Sequence, residues 1–267
     1  MTAQTFNATA AGPILAAVTA DMGEVLVTVD PTATAARVVV HTDDTEGPAA
    51  DAVNRSQIRQ DGNRLMITVP EVEGSTVVMG NATFRSNGGA QFYQNVTTVR
   101  RGQTLTGVTI VNGNVVSGGL AGGGAVVSPI EVRITLPAGS GVQMKTHNAN
   151  LTVTGVLAAL DFDGHNGNVR TGIVGRIKVR SHNGDAHVEA VTEWADVEGH
   201  NGNTEIGSYG GGAARLITHN GNLYLAASAA ASGQIEARAH NGNIRLVGTR
   251  RPGLDVRTST RNGHVSK

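Results

Sequence analysis

The sequence predicts an all-β chain whose C-terminal half is a parallel β-solenoid of about seven rungs. Three observations carry this: a His-Asn-Gly-Asn motif recurring at a near-constant interval, period-2 apolar positions on both sides of every copy, and outward charges that change sign from one copy to the next. The copies begin at His147 (HNAN), His165 (HNGN), His182 (HNGD), His200, His219 and His240 (each HNGN) and Arg261 (RNGH), spaced 18, 17, 18, 19, 21 and 21 residues apart. A fixed period of this length is the mark of a repeat architecture.

After each motif, apolar or small residues alternate with polar ones, as at Leu151/Val153, Val169/Thr171, Ala186/Val188, Leu223/Leu225 and Ile244/Leu246. Before it the same alternation runs through Val142/Met144, Leu160/Phe162, Ile177/Val179, Ala195/Val197, Ala214/Leu216, Ile235/Ala237 and Val256/Thr258. Alternation with period two is the pattern of a half-buried strand, so each unit reads as strand, tight Asn-Gly turn, strand and connection. The outward residues decide how units stack. Four places before the motif the series is Gln143, Asp161, Lys178, Asp196, Arg215, Glu236, Arg257; two places before, it is Lys145, Asp163, Arg180, Glu198, Ile217, Arg238, Ser259. Sign alternation favours a coil in which equivalent positions are neighbours about 4.8 Å apart, where opposite charges contribute about 0.2–1 kcal/mol per pair. Consecutive hairpins offer no reason for it. The variation in length falls in the connections on the far edge, rich in Gly, Ala and Ser, and the variable edge of a repeat protein is often its binding edge.

Within the motif, Gly167, Gly184, Gly202, Gly221 and Gly242 are expected at positive φ. Asn148, Asn166, Asn183, Asn201, Asn220 and Asn241 are expected to form a ladder of side-chain hydrogen bonds. His147, His165, His182, His200, His219 and His240 should stack as a column. Parallel stacking does not converge imidazoles on a point and no carboxylate accompanies them at fixed spacing, so no metal or other cofactor is expected. Charging rings about 4.8 Å apart would cost about 1 kcal/mol per neighbouring pair even in water, which predicts a stack weakened by acid. Ala149, in the place of the glycine, suggests that the first copy is an end rung that bends differently.

The chain divides into residues 1–70, β-strands leading into the solenoid; 71–128, a Gly/Asn-rich insertion; and 129–267, the repeat. The first segment offers apolar runs at 14–18, 25–29 and 37–40, then DGN at 61–63 turning into LMITVP at 65–70. In the insertion, VTIV-NG-NVV at 108–116 reads as a hairpin on an Asn-Gly turn, and Phe84, Phe92 and Tyr93 lie close together in sequence as a candidate contact element. From Ile130 the line IEVRITLPAGSGV re-enters the stack.

Composition excludes several functions. Lys plus Arg (21) equals Asp plus Glu (21), so nucleic acid, which calls for a basic excess, is not an expected partner. With no Cys there is no thiol chemistry or disulfide. No apolar run approaches the roughly 20 residues that span a bilayer, so no membrane insertion is expected. Residues 1–23 lack a basic leader region, so the expected location is cytoplasmic, with cell-surface association as the alternative. No catalytic motif is present. Asp161-Phe-Asp163 has the look of paired catalytic carboxylates, but both columns carry Lys or Arg one rung later, which makes the two Asp members of the charge ladder.

The Gly/Asn-rich rungs, the IEVRITLPAGSGV lead-in and the strand GNRLMITVP at 62–70 resemble the bacterial putative-adhesin family, a domain of unknown function. The resemblance covers most of the chain outside 71–128. It implies a β-solenoid and a surface or envelope association, and supplies no catalytic residues. The sequence stops inside a rung, at Asn262, Gly263, Val265 and Lys267, and an open rung is an unpaired strand edge. The expected function is therefore a non-enzymatic structural or interaction protein that self-associates end to end, as a dimer or as a filament like those of the bactofilins, which it resembles in architecture alone. The alternative is a module that binds a surface glycan or protein through the variable edge or the 71–128 insertion.

Overall fold

The computed structural model describes residues 1–72 and 128–267 throughout and, between them, the backbone of six short strands. It is almost entirely β, with a parallel solenoid of about six turns in the C-terminal region. Equivalent residues of successive repeats are register partners: Leu151 with Val169, Val169 with Ala186, Ala186 with Thr204, Thr204 with Leu223 and Leu223 with Ile244. The strands ahead of the motif follow the same rule, with Asp161 beside Lys178, Lys178 beside Asp196, Asp196 beside Arg215, Arg215 beside Glu236 and Glu236 beside Arg257. The inward residues of both strands, among them Phe162, Ile177, Val188, Leu216 and Ile244, belong to one buried cluster. Period-2 patterning thus places branched and small side chains on a single core shared by all rungs.

The stack extends below the first motif copy. The strand Leu15–Asp30 pairs in parallel along Gly141–Thr154, with Asn148, Ala149 and Asn150 beside Met22, Gly23 and Glu24. This corrects the expectation that Ala149 marks an end rung: a complete turn lies beneath it, and Ala149 is fully buried. Consecutive turns of the coil are therefore separated in sequence by residues 31–140.

Those residues build the turn underneath in two pieces. Arg64–Val69 pairs in parallel with Leu15–Ala20, and Glu131–Pro137 pairs in parallel with Glu24–Asp30. The two pieces occupy the positions flanking a corner, so the segment between them stands where the His-Asn-Gly turn of an ordinary rung would be. In that segment Thr76–Val77 pairs in parallel with Val126–Val127, Ala82–Arg85 is antiparallel to Gln91–Gln94, and Thr104–Val111 is antiparallel to Asn114–Ala121; the Asn-Gly turn expected at 112–113 lies outside the described residues. The backbone of Phe84 faces that of Phe92 and Tyr93 faces Thr83; the side chains of Phe84, Phe92 and Tyr93 lie outside the described residues.

Antiparallel strands finish this end. Gln57–Asp61 lies on Arg64–Val69, Ala35–Thr42 on Glu131–Pro137, and Thr2–Ala11 on Ala35–Thr42. A short helix, Pro48–Asn54, packs beside them with Ala49, Ala50, Ala52 and Val53 buried. Sequence patterning had offered only strands here. The signals for the helix were Pro48 at its first turn, where a missing N–H costs nothing, and the run of alanines after it.

Candidate functional site: the motif edge

Two amide ladders hold the motif edge together, and they use the asparagine side chain differently. In the first, each Asn donates Nδ2–H to Oδ1 of its partner one rung earlier: Asn166 to Asn148, Asn183 to Asn166, Asn201 to Asn183, Asn220 to Asn201, Asn241 to Asn220 and Asn262 to Asn241, at 2.7–2.8 Å. Every interior member is donor and acceptor at once, as a carboxamide can be and a carboxylate cannot. In the second, at the fourth motif position, the side-chain oxygen accepts the backbone N–H of the residue one rung later. Asn150 thus caps Asn168, Asn168 caps Asp185, Asp185 caps Asn203, Asn203 caps Asn222, Asn222 caps Asn243 and Asn243 caps His264, at 2.6–2.9 Å. Sequence reasoning gave this second column no role. Its signal was Asp185, a residue that accepts but cannot donate, standing in that column while the first remains Asn throughout.

The glycine between the ladders is fixed by geometry. Gly184 and Gly202 have φ of 148° and 141°, and a Cβ on either would lie 2.1 Å from the carbonyl oxygen of the glycine below. Gly221 and Gly242 are alike, each against the carbonyl of the glycine below, and Gly167, also at positive φ, meets the carbonyl of Ala149 in the same way.

The six histidines form a continuous stack, with ring centroids 4.5–4.9 Å apart and planes within 8° of parallel. His147, His165, His182, His200 and His219 are exposed, and His240 is half-buried. Among the described residues no three of His, Asp and Glu converge as a metal site. Beside the column runs a groove of about 840 Å³ at the lower rungs and about 480 Å³ at the upper ones; both stretches share Glu198, Gly199 and His200. Its floor is the residue just before each His, including Thr146, Gly164, Ser181 and Gly199. Lys145, Asp163, Arg180 and Glu198 form the opposite wall, and Val69 and Glu71, where the 73–127 segment departs, line its foot.

In the outer charge column, cross-rung ion pairs centre on Asp196. Arg215 reaches Asp196 at 2.8 Å and Glu198 at 3.2 Å, and Arg180 lies 3.9 Å from Asp196. Hydrogen bonding to Asp196, opposed in part by burial, raises the Arg215 pKa above its ordinary value. Higher up, Glu236 is taken by Arg238 of its own strand and Arg257 by Asp255, so those rungs share register without ion pairs between them. Asp161 and Asp163 line a cavity of about 190 Å³ with Lys145, Lys178 and Arg180.

At the lower end, His41 is buried with Nε2 3.2 Å from Glu131 Oε1. Burial pushes the Glu131 carboxyl up, but hydrogen bonds from Arg133 and His41 outweigh it and hold the pKa below the usual value. Asp44 is likewise held low by the hydroxyl and the backbone N–H of Ser128.

Comparison with known proteins bears on the fold. The chain shares its architecture with a crystal structure described as a putative adhesin from Bacteroides fragilis, at 14% identity over 98% of this chain and 95% of that one, with a TM-score of 0.53. A putative cell adhesion protein from Clostridium sporogenes is more distant, at 9% identity over 98% of this chain and 96% of that one and a TM-score of 0.37. A putative lipid binding protein from Parabacteroides distasonis aligns at 9% identity over 100% of this chain and 97% of that one, with a TM-score of 0.38. No family profile matches the chain, and no curated protein sequence does.

Proposed function

We propose that this chain is a non-enzymatic interaction protein, adhesin-like in fold, that self-associates end to end through its C-terminal rung. The difference between its two ends carries the reading. The lower end is closed by antiparallel strands and the buried face of helix Pro48–Asn54. At the upper end, among the described residues, Leu254–Asn262 and Val265–Ser266 each pair with one neighbour only. Their inward residues Leu254, Val256 and Val265 are half-buried, whereas Ile235, Ala237, Ile244 and Leu246 one rung below are at most 1% exposed. In the Asn ladder, Asn262 donates Nδ2–H to Asn241, and among the described residues no rung lies beyond its Oδ1. A second copy of the same rung supplies the missing backbone partners and apolar cover. With one end closed, the assembly that fits is a two-fold dimer rather than an open filament. The Lys267 ammonium, 3.4 Å from the Val256 carbonyl, is the charge on this edge that must move aside.

Asp161 and Asp163 support the non-enzymatic part. They stand among Lys145, Lys178 and Arg180 and are in register with Lys178 and Arg180 one rung later, the positions of charge-ladder members rather than of a catalytic pair. Sedimentation velocity over a wide concentration range tests the association. Dimers that dissociate on Val256→Lys are expected, and a monomer at every concentration overturns the reading.

A second reading has its own observation. The exposed apolar groups Val156, Ile173, Trp194 and Val247 all lie in the connections of the variable edge, where a surface protein or glycan would find them.

A further inference from the structure

We infer that Asn262-Gly263, the last copy of the motif turn, is a spontaneous modification site. The main-chain nitrogen of Gly263 closes on the Asn262 side chain, and hydrolysis of the resulting ring leaves a new carboxylate on the upper edge of the stack. The chemistry is complete within one chain; only its effect on association rests on the self-association reading.

An asparagine followed by glycine is open to this reaction because glycine has no Cβ to shield the attacking nitrogen. That nitrogen bonds to the asparagine Cγ, and Nδ2 leaves as ammonia with the proton the nitrogen gives up. A five-membered imide remains. Water then opens it at one of its two carbonyls. Cleavage of the new bond gives aspartate; cleavage of the original main-chain bond gives a β-aspartyl linkage, in which the backbone runs through the former side chain. One asparagine and one water become one acidic residue and one ammonia.

Six copies of the turn carry Asn-Gly, at Asn166, Asn183, Asn201, Asn220, Asn241 and Asn262, and the stack guards five of them. In those five the glycine N–H donates to the main-chain carbonyl of the asparagine one rung later: Gly167 to Asn183, Gly184 to Asn201, Gly202 to Asn220, Gly221 to Asn241 and Gly242 to Asn262, at 2.9–3.0 Å. The carboxamide is also held from both sides, Nδ2 by the rung below and Oδ1 by the rung above. At the last copy two of these three bonds are missing. Among the described residues the Gly263 N–H meets no acceptor and Asn262 Oδ1 no donor, which leaves the 2.8 Å bond from Nδ2 to Asn241. Asn262 and Gly263 are exposed to water, whereas the other five pairs are half-buried. Each hydrogen bond that must open before the ring closes slows the step by about fivefold, so the two missing bonds predict roughly 25-fold faster conversion at Asn262.

The product alters the edge on which it forms. A carboxylate at position 262 turns an acceptor toward Asn241 Oδ1 where a donor stood. The β-aspartyl form also adds a methylene to the path into Gly263. The residues beyond are tied to the rung below, by the His264 N–H on Asn243 at 2.9 Å and by Val265 beside Ile244, and a lengthened chain cannot keep that register. A rung with an added charge and a displaced last strand is a poor partner for a second copy, so the reaction is a clock that retires the association edge.

The test is site-by-site peptide mapping of the full chain aged in mildly alkaline, oxygen-labelled water, at a dilution where sedimentation velocity finds the monomer. The Asn-Gly pairs at 87–88 and 112–113 lie outside the described residues and take no part in the comparison. Asn262 should convert roughly 25-fold faster than each of the five interior asparagines, giving both aspartyl and β-aspartyl product. In concentrated urea, where no rung survives, the six rates should converge. The inference is overturned if an interior asparagine of the folded chain converts as fast as Asn262, if the preference for Asn262 persists in urea, or if aspartyl is the sole product. Conversion that slows as protein concentration rises supports both this inference and pairing of the edge. A rate independent of concentration, with Asn262 still the fastest, upholds this inference and counts against self-association.

Discussion

Changing Asn241 and Asn243 separately to Asp puts the same chemical change two residues apart in one rung, and the two ladders predict opposite outcomes. Asn241 donates to Asn220 Oδ1 at 2.7 Å and accepts from Asn262 at 2.8 Å. Asn241→Asp keeps the acceptance but faces Asn220 Oδ1 with a carboxylate oxygen. The loss is one neutral hydrogen bond, about 1 kcal/mol, plus a half-buried acceptor left without a donor, about 1–3 kcal/mol. We expect about 2–4 kcal/mol at pH 7, or a fall in Tm of roughly 4–16 °C for a chain of this size. Asn243 only accepts, from the N–H of His264 at 2.9 Å, so Asn243→Asp should stay within about 0.5 kcal/mol of wild type. The pH dependence adds a check. A protonated Asp at position 241 can donate again, so its folded-state pKa lies above the unfolded value of about 3.9. The penalty should be full at neutral pH and disappear as pH falls below that unfolded value. Thermal melts of both variants from neutral to acid pH suffice. Equal destabilisation by the two would refute the assignment of donor and acceptor roles.

Gly202→Ala places a Cβ 2.1 Å from the Gly184 carbonyl oxygen at φ 141°; strain of this kind costs about 1–3 kcal/mol before any backbone is displaced, so a loss of at least about 3 kcal/mol is expected in urea melts. Glu131→Gln removes a carboxylate whose pKa is held down by Arg133 and His41 against its burial. Such a group contributes stability above its unfolded pKa that is lost as pH falls through the folded one, so the variant should be less stable at neutral pH and show a shallower decline in Tm between about pH 5 and pH 3.

The parallel stack was legible because its cause is local and repeated. A residue that must both donate and accept, a glycine with a carbonyl at its back, and outward charges whose neighbours lie one rung away leave the same trace every 17 to 21 residues. The second amide ladder left a fainter one, since accepting a hydrogen bond tolerates Asp185 as readily as Asn and so blurs the column. The turn built from Arg64–Val69 and Glu131–Pro137 escaped detection because its halves are separated by some sixty residues, and neither carries the motif that marks a corner. Helix Pro48–Asn54 was hidden for a different reason. At seven residues it is too short to show a periodicity of its own, and its burial against the first strands decides its conformation.

The split turn has an engineering consequence. A coil that leaves at Val69, makes a long excursion and returns at Glu131 without losing register treats that corner as a socket. Another folded unit with closely spaced ends, spliced in place of residues 73–127, would be carried beside the stacked histidine rings, giving a scaffold whose cargo is exchanged without altering the rungs.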